Sequence, residues 1–100
     1  MDKFFYYNEL FSIYKDLLTE KEKEIFSLYY EENLSMGEIS ENKQISRSAV
    51  GSKVKTVEQK LDYYESVIKK YQLFQRLSEL LENGKTEDFR KKIEQILEDK

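Results

Sequence analysis

The side chains best placed for chemistry are serine hydroxyls and cations gathered in one short interval. Ser46, Arg47, Ser48, Ser52, Lys53 and Lys55 fall within ten residues, with Gly51 among them. Short hydroxyls next to cations suit contacts to phosphate and donation to base edges, and Lys53 and Lys55 can reach a nucleic-acid backbone. The set does not suit catalysis. The chain contains no histidine and no cysteine. That removes the commonest general base, disulfides and the usual zinc ligands. No nucleophile–base pair and no glycine-rich phosphate loop is present. Adjacent carboxylates such as Glu31 and Glu32 point to different parts of a helix surface and read as a solvated face. The expectation is a binding module, not an enzyme, with no metal and no cofactor.

Charge singles out the same interval. The chain of 100 residues carries a net charge of -3. Residues 1–45 hold five Lys/Arg and ten Asp/Glu, and residues 61–100 hold eight and nine. Residues 46–60 hold Arg47, Lys53, Lys55 and Lys60 against Glu58 alone. One basic island therefore stands in an acidic chain, the footprint of a local rather than a general attraction to nucleic acid.

Helices must position this island. Proline is absent and there are only three glycines, too little turn punctuation for a sheet. An all-α fold in a single domain over residues 1–100 is expected. A first helix runs from about Lys3 to Leu18, with Tyr7, Leu10, Phe11, Tyr14, Leu17 and Leu18 as its apolar stripe. Thr19 with Glu22 and Ser35 with Glu38 each spell a capping box, so helices begin after Thr19 and Ser35. The second buries Ile25, Phe26, Leu28 and Tyr29 and ends near Glu32-Asn33. The third covers Met36 to Lys43 and turns Met36 and Ile39 inward. Ser46 caps the next helix. The expected core is residues 19–60, extended by a long helix over 61–83 and closed by a helix over 86–97.

The long helix shows nothing that stops it between Arg47 and Asn83-Gly84. Val50, Val54, Val57, Leu61, Tyr64, Ile68 and Tyr71 are spaced 4, 3, 4, 3, 4, 3, a heptad seam. Such a seam is covered within the chain or by a second copy. The low apolar share, 39%, favours a homodimer through Val57, Leu61, Tyr64, Ile68 and Tyr71. Phe4, Phe5, Tyr6 and Tyr7 divide between core packing and an exposed contact patch. Thr86 caps the last helix, which presents Phe89, Ile93, Ile96 and Leu97, and the Glu98-Asp99-Lys100 tail frays.

The run SMGEISENKQISRSAVGSKVK has the grammar of a helix-turn-helix. A short supporting helix must cross the start of a recognition helix closely, which needs a small residue at the crossing and apolar anchors around it. Ser40 supplies the first, and Ile39, Ile45 and Val50 the second. LTEKEKEIFSLYYEENLSMGEIS followed by ISRSAV resembles region four of bacterial primary-type sigma factors. The longer run from Phe11 through LDYYESVIKKYQLF to the last helix is similar to the YlxM family of small helix-turn-helix proteins, over nearly the whole chain. The resemblance implies a regulatory DNA-binding protein, with duplex DNA contacted by Ser46, Arg47, Ser48, Gly51, Ser52, Lys53 and Lys55. It also implies a part in the signal recognition particle pathway, with the particle's GTPase or RNA as alternative partners. Two positions depart from the usual motif. Lys43 stands where an apolar residue closes the supporting helix, and Gly51 where a bulkier residue is usual. Gly51 allows either close approach of a ligand or close crossing of a neighbouring helix. No stretch approaches the ~18 apolar residues that cross a bilayer, and the N-terminus lacks the pattern of a signal peptide. A cytoplasmic protein without membrane insertion is expected.

Overall fold

The local start signals at Thr19, Ser35 and Ser46 are obeyed. The computed structural model describes residues 2–82 and 86–98. Six α-helices lie among them: α1 Lys3–Tyr14, α2 Glu20–Tyr30, α3 Met36–Lys43, α4 Arg47–Ile68, α5 Lys70–Glu82 and α6 Thr86–Glu98, with a 3-10 turn at Lys15–Leu17. Asp2 opens α1, its Oδ1 accepting the Phe4 N–H at 3.1 Å. Both capping boxes form. Thr19 Oγ1 accepts the Glu22 N–H at 3.2 Å while Glu22 Oε1 accepts the Thr19 N–H at 2.9 Å. Ser35 and Glu38 repeat the exchange at 3.1 and 3.0 Å.

The third helix ends at Lys43 as expected, but other helix ends differ from the sequence expectation. The first helix stops at Tyr14 and tightens into the 3-10 turn, and α2 stops at Tyr30. The long helix expected from Arg47 to Asn83 is two helices, because Lys69 adopts φ 58° between α4 and α5. Asn33 and Gln44, after α2 and α3, take the same left-handed conformation at φ 57° and 56°. A side chain there costs roughly 1–2 kcal/mol. A chain without proline and poor in glycine ends three helices at this cost. The expected Asn83-Gly84 stop and the Asp99-Lys100 tail lie outside the described residues, as do the side chains of Thr86 and Phe89.

The contacts divide the chain into two compact units, Met1–Ile68 and Lys69–Lys100, where one domain was expected. In the first unit, α4 packs on α1, α2 and α3. Its Val50, Val54, Val57 and Leu61 are buried against Leu10, Phe11, Tyr14, Ile25, Phe26, Tyr30 and Ile39 of the same core. This corrects the expected dimer seam. Val57 and Leu61 are closed off by helices of their own chain. Tyr64 is half-buried, its O–H reaching the Leu17 carbonyl at 3.4 Å. Ile68 is 51% exposed. Tyr71 belongs to the second unit, where its hydroxyl accepts from Gln75 Nε2 at 2.8 Å. Of the N-terminal aromatics, Phe4 packs on the Tyr30 ring at a centroid distance of 4.7 Å, and Phe5 is exposed.

Three tyrosines from α1 and α2 hold one face of α4. Tyr7 donates to Asp62 at 2.7 Å, Tyr14 to Glu65 at 2.6 Å, and Tyr30 to Glu58. Burial, and then the carboxylate each one faces, pushes the Tyr7 and Tyr30 hydroxyls well above their ordinary range, so both remain donors. An ion pair holds the opposite flank, with Lys60 Nζ 2.6 Å from Glu22 Oε2 and the Glu22 side chain 5% exposed. Burial raises the Glu22 carboxyl, but the Lys60 ammonium and the Thr19 backbone together bring it below the usual 4.5. A carboxylate lowered on folding contributes stability above its unfolded value and loses it as acid protonates the folded form. Lys60 is raised by the same pair, so its contribution persists below its unfolded value and is lost only in strong alkali. Glu22→Gln keeps an acceptor for the Thr19 N–H but removes the charge. Its melting temperature is expected to fall less steeply than the parent's between about pH 5 and pH 3, and parallel acid limbs would refute the pairing.

Candidate nucleic-acid interface

The α3–α4 turn is built by backbone chemistry. The Ser40 carbonyl accepts the Gln44 N–H and also the Ile45 N–H, the latter at 3.1 Å, which reverses the chain after α3. Ser46 then caps α4, Oγ accepting the Ala49 N–H at 3.0 Å. Ile39 and Val50 are fully buried and anchor the crossing. Ile45, expected as a third anchor, is 38% exposed.

Gly51 belongs to the crossing. A Cβ there would lie 3.4 Å from Met36 Sδ, so this position faces α3 rather than a ligand. Its replacement by alanine fits at contact distance and removes a mid-helix glycine. Gly51→Ala is expected to stabilise the first unit by up to about 1 kcal/mol, read as a raised melting temperature with nucleic-acid affinity unchanged. Arg47 lies on the same flank, its guanidinium folded over Gly37, where a Cβ would come within 3.0 Å of Nη2. Lys43, the other departure from the motif, donates to Glu24 Oε2 at 2.8 Å and ties the end of α3 to α2.

The remaining island residues sort by helical register. Ser48, Ser52 and Lys55 are exposed and spaced i, i+4, i+7, one stripe diametrically opposite the buried Val50, Val54, Val57, Leu61 stripe. Gln59 extends this stripe by one turn, and Thr56 stands beside it with its hydroxyl donating to the Ser52 carbonyl at 2.9 Å. Neither was singled out from composition. Their signal was the period that continues from Ser48. Lys53 is half-buried on the flank away from Arg47. The expected seven residues are therefore not one surface. Ser48, Ser52 and Lys55 form its centre, Arg47 and Lys53 stand on either side, Ser46 is occupied as a cap and Gly51 faces inward.

The electrostatics favour an anion. Residues 42–57 contain no acid and four cations. Glu58, which ends the run, is bound to Tyr30 and lies 3.5 Å from Lys3 Nζ. Lys60 is committed to Glu22. Among the described residues no carboxylate pairs with Arg47, Lys53 or Lys55. The family described as "UPF0122: Putative helix-turn-helix protein, YlxM / p13 like" matches residues 1–100. This chain belongs to that family. The UPF0122 protein YlxM of Bacillus subtilis is 41% identical over 88 residues, covering 81% of this chain and 80% of its own. The family's proteins from Halalkalibacterium halodurans and Oceanobacillus iheyensis are 40% and 41% identical over 85 residues, each covering 85% of this chain and 78% and 81% of their own. No helix among the described residues is long and apolar enough to cross a membrane.

Proposed function

We propose that this YlxM-family chain is a DNA-docking regulatory module whose contact is the solvent stripe of α4. The observation that carries this reading is the acid-free, serine- and lysine-bearing face of α4, held clear of the core by the α3 crossing. Ser48 and Ser52 offer short donors, and Arg47, Lys53 and Lys55 supply charge around them. The first turn of α4 adds backbone N–H groups and the positive end of the helix dipole. The chain's own chemistry is binding rather than turnover, so regulation follows from occupying the nucleic acid.

The same face supports a second reading, in which the RNA of the signal recognition particle is the partner. Serine and lysine are readers of phosphate, and the side chain best able to grip guanine in bidentate fashion, Arg47, is folded over Gly37. A phosphate-reading face serves either polymer. The test is fluorescence anisotropy of labelled duplex DNA and of the particle's RNA hairpin across a salt series. Three phosphate contacts correspond to a slope of about -2.7 in log affinity against log salt on duplex DNA. Tighter RNA binding at every salt concentration assigns the second reading, and no binding of either at micromolar protein removes both.

A further inference from the structure

The second unit, Lys69–Lys100, is built from α5 and α6. The two helices pack on each other and are joined by three residues, so they run antiparallel. Leu73, Leu77 and Leu80 make the stripe of α5, and Ile93 and Ile96 that of α6. Leu80 is buried, whereas Leu73, Leu77, Ile93 and Ile96 are half-buried. A second apolar set lies beside these stripes. Phe74 and Leu81 each follow a stripe residue of α5, and Leu97 follows Ile96 of α6. One residue is a rotation of about 100°. In an antiparallel pair the same rotation from the facing stripes leads to the same side of both helices. Phe74, Leu81 and Leu97 therefore share one side of the hairpin, and they are 47%, 76% and 57% exposed. Two helices of this length supply too little core to enclose such a set, and association is the usual remedy.

Charge along α5 indicates what covers it. Lys70 and Arg76 lie before Leu77, with Lys69 just ahead of the helix, and no acid does, whereas Glu79 and Glu82 lie after Leu77 and no cation of the helix does. Two α5 helices placed side by side in opposite directions bring each basic half against an acidic half. With a twofold axis between Leu77 and Ser78, Phe74 of each copy also meets Leu81 of the other. We propose that the Phe74, Leu81 and Leu97 side of the α5–α6 hairpin is a self-association surface, closed by the same side of a second copy with the α5 helices antiparallel. This places self-association on the hairpin instead of the Val57 and Leu61 seam, and it is independent of which nucleic acid α4 contacts.

Sedimentation of the full chain tests it. The parent, at 12.1 kDa per chain, is expected to sediment with the mass of two chains at micromolar concentration. Leu81→Glu, a change at an exposed position, is expected to weaken the dimer at least about 30-fold by burying an unpaired charge. Tyr63→Glu, 65% exposed on α4 of the other unit, is expected to leave the mass unchanged. Because the chain lacks cysteine, orientation can be read directly. Ser78→Cys near the axis is expected to give a disulfide-linked dimer on oxidation, and Lys70→Cys to give none. A parent that stays monomeric overturns the proposal, even if another protein occupies this side. So does dissociation by Tyr63→Glu instead of Leu81→Glu, or equal cross-linking by the two cysteine variants.

Discussion

Replacing Arg47, Lys53 and Lys55 together by glutamine is expected to weaken duplex binding at least about 100-fold at about 0.1 M salt and to flatten the salt slope towards zero. The slope counts counterions released, and these three side chains are the cations around the α4 stripe that no described carboxylate claims. Because Arg47 and Lys55 are exposed, Lys53 is only half-buried and none of the three stands in an ion pair with a described residue, the folded state loses little, and the melting temperature should move by no more than about 2 °C. Lys60→Gln provides the contrast. Its ammonium serves the nearly buried Glu22, so this variant is expected to lose stability and keep its salt slope. Two variants with the same loss of affinity would mean that charge alone, and not the surface described, governs binding.

Leu61→Ala is expected to destabilise the first unit by about 3 kcal/mol, because it removes a fully buried side chain and leaves a cavity among α1, α2 and α4. For a domain of this size that is a large share of the total stability, and the melting temperature should fall by roughly 12–24 °C. Calorimetry or thermal circular dichroism reads the effect. Below its transition the variant should sediment with the parent's mass, because Leu61 meets residues of its own chain. A variant that melts like the parent but dissociates would return Leu61 to an interface between copies.

The contrast between these two variants follows the boundary of what the sequence makes legible. The 4-3-4 spacing from Val50 to Leu61 identifies the apolar face of α4, but spacing does not say which helix covers that face. The cover is set by contacts across long separations, such as Tyr30 with Glu58 and Lys60 with Glu22. Helix starts were legible because a capping box is complete within four residues, at Thr19 and at Ser35. Helix ends were less so: the end of α3 at Lys43 was read correctly, but Lys69 stops α4 through a left-handed backbone that its residue type does not advertise. In the candidate site, residue types pointed to the interval 46–55, and Ser46 was legible as a cap. Register then separates Ser48, Ser52 and Lys55 from Gly51, which the Met36 contact turns inward. Tyr30 lay next to the pair expected to be buried at Leu28 and Tyr29. Leu28 and Tyr29 are half-buried, whereas Tyr30, one turn after Phe26, shares its buried face and stacks on it at 4.4 Å.

The most direct test of the α4 surface is amide chemical-shift mapping of the full chain during titration with a short duplex, repeated with the Arg47, Lys53 and Lys55 glutamine variant. The surface described here requires shifts that concentrate on Ser46 to Gln59 in the parent and vanish in the variant. Shifts that gather instead on α1 and α2, or that persist in the variant, would contradict it.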